Sequence, residues 1–126
     1  MIITDYIKLP ISSDGMCYLW DANSDMVADV HVDHSRPLLD ACAAAINHAH
    51  GKLPQADALA VIYASGIRQP VRLAGDHGLD LVDAAGVTIL RIRGWGRLQH
   101  LGHEAGVRAQ ETIARAFADA LNALKP

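Results

Sequence analysis

The chain has 126 residues, of which 51% are apolar, and its formal net charge is −3. This length fits one domain, residues 1–126, with a sizeable core. Residues 1–64 carry three basic and eight acidic side chains, whereas residues 65–126 carry eight basic and six acidic ones. Because the chain is acidic as a whole, we expect no general nucleic-acid binding, but a local basic patch fits the second half.

Other features of the composition exclude several classes of protein. No apolar run approaches the ~20 residues that a membrane span needs. The amino-terminal segment has no basic region followed by an apolar stretch, so we expect no signal peptide. The two cysteines, Cys17 and Cys42, are too few for a disulfide framework. Together these features predict a reduced, cytoplasmic setting.

A repeated pattern links the two halves of the chain. Residues 9–31 match residues 71–93 without a gap, at a distance of 62 positions, and Asp21 then falls over Asp83. The match predicts an internal duplication. The alternative is two unrelated β-meanders that each need a covering helix, because hairpins with alternating apolar residues resemble one another for trivial reasons.

The duplication extends to a helix in each copy. Residues 37–49 match residues 112–124 at a distance of 75 positions. The first copy then covers residues 6–50 and the second residues 67–126, with residues 51–66 as a linker.

The first copy reads as three strands and a helix. Pro10 marks an edge strand at its start, because proline cannot donate to a sheet. Asp14 and Gly15 favour a turn, and Pro37 fits the first turn of a helix. The predicted elements are an edge strand over 6–11, a turn over 12–15, strands over 16–21 and 26–32, and a helix over 37–49.

The linker and the second copy follow the same logic. Residues 55–64 favour a short helix ended by Gly66, although Val61, Ile62 and Tyr63 also suit a buried strand. The remaining predicted elements are strands over 70–74, 79–83 and 87–93, a loop over 94–107 and a helix over 108–124. In the last strand, alternation places Leu90 and Ile92 on the covered face and Ile89 on the other.

These elements predict an α+β fold built from a duplicated β-β-β-α unit. Each unit has one apolar sheet face and one apolar helix stripe, and neither unit hides both alone. An antiparallel sheet with both helices packed on one face satisfies this requirement. The opposite face is then partly bare, which suits a contact surface for another molecule.

The first candidate site lies where the second copy's last strand ends. Alternation puts Arg91 and Arg93 on one side, followed by Trp95 and Arg97. Guanidinium groups beside an indole suit a phosphate, a carboxylate or an acidic protein surface. Tryptophan and arginine are also enriched at binding hot spots. The alternative is that Trp95 packs against the end of the sheet and the arginines are only solvent-exposed charges.

The first copy carries the opposite charge at the matching positions, where Asp29 and His31 stand over Arg91 and Arg93. This pattern leaves two alternatives open. One is self-association through complementary charges, which gives a homodimer. The other is a salt bridge within the chain.

Histidines form the second candidate site. His31, Asp33 and His34 lie close together, and His100 and His103 form another group. Imidazole and carboxylate are good zinc ligands, but none of these spacings matches an established metal motif. We therefore predict surface histidines and no metal, and keep a metal-dependent hydrolase as an alternative function.

No arrangement for covalent catalysis stands out. Cys42 lies on the apolar stripe of the first helix, which is typical of a core cysteine, and Cys17 lies in a strand. The sequence has neither a G-x-S-x-G nucleophile elbow nor a G-x-x-x-x-G-K-[ST] phosphate loop. We therefore predict a protein that is not an enzyme and needs no cofactor.

The second copy resembles segments of small phage-encoded accessory proteins. In these, a D-x-x-G-x-x-V/I hairpin leads to an R-G-W-G tract, and a helix ending in L-N-A closes the module. The corresponding residues here are Asp83, Gly86, Ile89, the tract 93–96 and the run 120–123.

The resemblance implies a phage-type product that binds and inhibits machinery in the host cytoplasm. That class includes inhibitors of CRISPR effectors and proteins that sequester signalling nucleotides. The expected partner is a host protein or protein complex, bound through Arg91, Arg93, Trp95 and Arg97. The alternative is an oligomer that binds a nucleotide, with the arginines on the phosphates and Trp95 on the base.

Overall fold

The computed structural model describes residues 3–30, 35–93 and 96–124, which form six strands and three α-helices. The strands are β1 (Ser12–Ser13), β2 (Tyr18–Trp20), β3 (Met26–Asp29), β4 (Arg72–Ala74), β5 (Asp80–Val82) and β6 (Thr88–Ile92). The helices are α1 (Ser35–Ala49), α2 (Gln55–Ser65) and α3 (His103–Ala123). Short 3₁₀ helices cover Ile3–Asp5, Asp76–Gly78 and Gly96–Leu101.

All six strands form one antiparallel sheet in the order β1-β2-β3-β6-β5-β4. Helix α1 packs on the half that contains β1 and β2, helix α3 packs on β4 and β5, and both contact β6 and each other. The predicted α+β fold, with helices on one face of an antiparallel sheet, is confirmed. No helix in the described ranges is long and apolar enough to cross a bilayer.

The hairpins β2-β3 and β5-β6 pair in the same register. Tyr18 lies opposite Asp29 in the first hairpin, and Asp80 lies opposite Arg91 in the second, 62 positions later at each residue. The register shifts at the same place in both, directly after Leu19 and after Leu81. The two hairpins are therefore equivalent in structure, while the duplication of the sequence stays a prediction.

A buried aspartate closes each hairpin turn. Oδ1 of Asp21, and likewise of Asp83, accepts hydrogen bonds from the backbone N–H groups two and four residues further on, at 2.9 and 3.0 Å in both cases. Oδ2 accepts the N–H of Lys8 at 3.0 Å and of Arg68 at 3.2 Å. Because these bonds satisfy both oxygens, the carboxylates can stay buried and tie each turn to the preceding edge segment.

The edge of the first half differs from the prediction. Residues 6–11 form no strand, and β1 is only Ser12–Ser13, which the sequence placed in a turn. The reason is the side-chain amide of Asn47, which accepts the N–H of Ile11 and donates to its C=O, both at 2.8 Å. The N–H and C=O groups that Ile11 would pair in a strand are bound by this side chain of α1 instead.

The second half repeats this amide contact. Asn122 of α3 accepts the N–H of Val71 at 2.7 Å and donates to its C=O at 2.8 Å. Ile11 and Val71 lie 60 positions apart, not 62. The gapless match of the two copies is therefore wrong at the edge strands, because the turn before β5 is two residues longer than the turn before β2.

The register shifts also change which residues are buried. They leave Val27 and Ile89 as the extra residue of a β-bulge in each hairpin. Both belong to the core, and Ile89 is 0% exposed. The prediction that Ile89 faces away from the covered side is wrong, because simple alternation fails at a bulge.

The helices follow the prediction with one exception. Residues 55–65 are helical, as favoured, and Gly66 ends α2 in the left-handed conformation with φ 76°. Helix α3 begins at His103, within the predicted loop 94–107. Gly106 lies inside this helix and is buried, and a Cβ there would lie 3.7 Å from the backbone oxygen of Leu98. This is an ordinary contact distance, so the packing would accept a larger residue, and the glycine does not break the helix.

The amide contacts lead to a testable prediction. Replacing Asn47 or Asn122 by alanine removes two hydrogen bonds and leaves backbone groups of the edge segment unpaired. We expect each substitution to lower the free energy of unfolding by about 2 kcal/mol in a urea titration followed by circular dichroism. Asn23→Ala is the control, because that side chain is exposed, and it should change stability by less than about 0.5 kcal/mol. Equal effects of all three substitutions would contradict this role.

Candidate functional site

Four polar side chains form a row across the centre of the sheet, here called the charged row. Tyr18, Asp29, Arg91 and Asp80 lie opposite one another on β2, β3, β6 and β5. The neighbouring residues Leu19, Ala28 and Ile92 are buried under the helices. Since successive side chains point to opposite faces, the charged row lies on the uncovered face. With strands spaced ~4.8 Å apart, the row spans about 14 Å.

Asp80 and Arg91 form a two-pronged ion pair. Nε of Arg91 donates to Oδ1 of Asp80 at 2.7 Å, and Nη2 donates to Oδ2 at 3.2 Å. These hydrogen bonds raise the pKa of Arg91, so its charge is fixed. A Cβ at Gly75 would lie 2.5 Å from Oδ2 of Asp80, so the glycine makes room for the carboxylate. The side chain of Arg91 is still 50% exposed.

Asp29 and Arg93 form a second ion pair where the two halves of the sheet meet. Asp29 is 2% exposed, and its Oδ1 accepts a hydrogen bond from Nε of Arg93 at 2.8 Å. The backbone N–H of Arg93 also donates to the C=O of Val27 at 3.0 Å. A buried carboxylate needs such a partner to remain charged. Of the two alternatives that the sequence left open for Asp29, the structure shows the internal salt bridge.

Two aromatic side chains extend the charged row. The rings of Tyr18 and Trp20 are 6.0 Å apart and tilted by 59°. The charge and hydrogen bond of Cys17, followed by desolvation and the charge of Asp29, raise the pKa of Tyr18. The sequence analysis did not single out this pair, although the spacing Tyr18-x-Trp20 in a predicted strand is the signal that would have found it.

Of the predicted binding residues, the structure describes the side chains of Arg91 and Arg93. Arg91 and Arg93 both belong to the uncovered face, each with a carboxylate partner. Trp95 and the side chain of Arg97 lie outside the described part of the chain. The cluster of arginines around an indole stays a prediction. Any ligand of Arg91 or Arg93 must share the guanidinium with the aspartate already there.

The histidine candidates do not meet in the described residues. His100 and His103 are exposed, and His31, Asp33 and His34 lie outside the described part. Within residues 3–30, 35–93 and 96–124, no group of three histidine, cysteine or acidic side chains is placed to hold a metal ion.

Comparison with known proteins finds no relative of this chain. No protein-family model matches the chain, and neither a curated protein nor a solved structure is significantly similar to it. The resemblance to phage accessory proteins therefore remains a hypothesis based on short motifs.

The two cysteines should differ sharply in reactivity. Burial raises the pKa of the Cys42 thiol to about 12, and the thiolate is the reactive form. At pH 8 on the order of one Cys42 in ten thousand is then ionised. Cys17 is partly exposed. We expect a thiol-reactive dye to modify only Cys17 in the native protein, and both cysteines in denaturant. Rapid modification of Cys42 in the native state would show that the helix α1 face is open.

Proposed function

We propose that the protein is a non-enzymatic binding protein of the phage accessory type, which occupies a host protein and inhibits it. The proposed contact residues are Tyr18, Trp20 and Arg91 on the uncovered sheet face, together with Arg93, Trp95 and Arg97, which the sequence singles out. The resemblance makes host defence machinery, such as a CRISPR effector, the first target class to examine.

The observation that carries this proposal is the exposure of Arg91 on the sheet face opposite the helices of the described chain. Its guanidinium is held in place by Asp80, yet half of the side chain faces solvent. Tyr18 and Trp20 lie on the same face. Arginine, tyrosine and tryptophan carry most of the binding energy in protein interfaces. A pre-oriented arginine also loses less side-chain entropy when a partner binds.

The surroundings of Arg91 favour a protein over a nucleotide. The groove at the end of the charged row has a volume of about 510 Å³. Besides Arg91 and Arg93, it is lined by the carboxylates of Asp76 and Asp80 and the amide of Gln110. A phosphate entering this groove meets two negative charges and must compete for both guanidinium groups. A protein surface can instead contact the outer edge of Arg91 and the aromatic pair.

Loss of the Arg91 charge should weaken the complex. We expect the tagged protein to capture a host protein from a bacterial lysate, and Arg91→Gln to raise the Kd for that partner at least about tenfold, or about 1.4 kcal/mol. Arg115→Gln on the exposed side of α3 is the matched control and should leave the Kd within about twofold. Binding that is insensitive to Arg91→Gln would contradict the proposed face.

Arg93 needs a different variant, because its removal takes away the guanidinium that hydrogen-bonds the buried Asp29. Breaking such a pair costs roughly 3–5 kcal/mol and would confuse binding with unfolding. The other predicted binding residues are better tested by Trp95→Ala and Arg97→Gln, with circular dichroism confirming the fold. If both variants and Arg91→Gln bind as tightly as the unmodified protein, the proposal fails.

A thermal-shift experiment separates the nucleotide alternative from the proposed function, because only a nucleotide-binding protein should gain stability from added nucleotide. A nucleotide at about 100 times its Kd adds roughly 2.7 kcal/mol to the stability of its binding protein. From the acidic groove we expect no increase in Tm with any member of a nucleotide panel. A clear increase that Arg91→Gln abolishes would favour the nucleotide alternative.

A further inference from the structure

Helix α2 lies between the two repeated units and has no counterpart in either. It packs mainly against α1, and its contacts with the sheet are minor. Within the isolated chain only Ala58 and Ile62 of its 11 residues are buried. These two residues are one turn apart, so they account for a single narrow stripe of the helix.

A second apolar stripe runs along the outer side of α2. Ala56, Leu59, Ala60 and Tyr63 follow the i, i+3, i+4, i+7 spacing of one helix face. Tyr63 is 86% exposed. No charged residue occurs from position 58 to position 67. A helix that is apolar on both sides is expected to be covered on both. The described chain partly covers Leu59, which packs against the core, but leaves Ala56, Ala60 and Tyr63 exposed.

The outer stripe combines an exposed tyrosine with a groove on the same surface. A groove of about 530 Å³ is lined by residues of α2 together with Ile67 and Leu124. Its lining includes the small residues Ala56, Ala60 and Gly66 as well as the exposed Tyr63. A surface that carries both shapes can pack on a copy of itself, as twofold symmetric interfaces require.

The charges at the two ends of the stripe match such a copy. Asp57 lies in the first turn of α2 and Arg68 follows its end, and both are exposed. The midpoint between them falls at Ile62 and Tyr63, in the apolar stretch. We propose that α2 forms a homodimer contact in which the α2 helices of two copies pack antiparallel. Asp57 of each copy then meets Arg68 of the second copy, whereas a parallel arrangement brings like charges together.

The size of the stripe sets the expected affinity. A helix of 11 residues is about 16 Å long. Stable interfaces bury roughly 800 Å² on each partner, which is more than one helix face supplies. Ile67 and Gln69, which are partly exposed and line the same groove, widen the contact beyond α2. We therefore expect a reversible dimer with a Kd of roughly micromolar size rather than an obligate one.

Sedimentation equilibrium over a wide concentration range tests the dimer. The apparent mass should rise from 13.5 kDa toward twice that value. Tyr63→Asp should raise the dimer Kd at least about tenfold, because a charge enters the apolar contact. Met16→Asp is the matched control, since Met16 is 71% exposed but far from α2 in the chain, and it should dimerise as the unmodified protein does.

Three outcomes would overturn the proposal. One is a monomer at every concentration, and another is a Tyr63→Asp variant that dimerises normally. The third is a monomer that loses capture of a host protein on Tyr63→Asp, which would assign α2 to that other partner. Since Tyr63 is exposed, its substitution should leave the circular dichroism spectrum unchanged.

A charge swap tests the antiparallel arrangement itself. Asp57→Arg and Arg68→Asp should each weaken the dimer by placing like charges together. The double variant should restore the affinity, because opposite charges meet again in the swapped order. Only the backbone of Arg68 makes the hydrogen bonds found here, so its side chain can be changed without breaking them. A double variant that is weaker than both single variants would overturn the antiparallel packing.

Discussion

The pairing of β3 with β6 is the interaction on which the rest of the molecule depends. It joins two three-stranded halves into one sheet through Ala28 opposite Ile92 and Asp29 opposite Arg91. The Asp29–Arg93 ion pair lies at this junction and spans 64 positions of the sequence. Without the junction, each half would expose the inner edge of β3 or of β6 and much of its helix. The same pairing places the charged row in the middle of the uncovered face. Both the fold and the candidate site therefore depend on the pairing of β3 with β6.

The two halves are held at their edges by side chains rather than by long strands. Asn47 and Asn122 each satisfy a complete backbone residue on the edge segment. Asp21 and Asp83 do the same for the hairpin turns. Short strands with few ladder bonds are enough because these buried aspartates and half-buried asparagines find their partners within the same half. The edge strands, of two and three residues, also offer little template for pairing with other chains.

The sequence predicted those parts of the fold whose contacts are local or repeated. The two central hairpins have their paired residues and their bulges 62 positions apart, as the sequence match predicted. The match of Asn47 with Asn122 likewise pointed to equivalent helix ends. The edge was mispredicted because the partner of Ile11 is a side chain 36 residues away. Periodicity reports which face a residue occupies, and it cannot report such a distant hydrogen-bond partner. For the same reason alternation placed Arg91 and Arg93 on one face without revealing that Asp80 and Asp29 hold them.

The equivalence of the two hairpins has a consequence for how this surface can evolve. Tyr18 occupies the position of Asp80, and Asp29 occupies the position of Arg91, on frames with the same register. The buried leucines keep the frame, while the outward positions have different chemistry in each half. Substitutions on one hairpin can therefore remodel half of the exposed surface while the other half keeps its shape. The outward chemistry of each half can thus change separately, because the buried frame beneath it is kept.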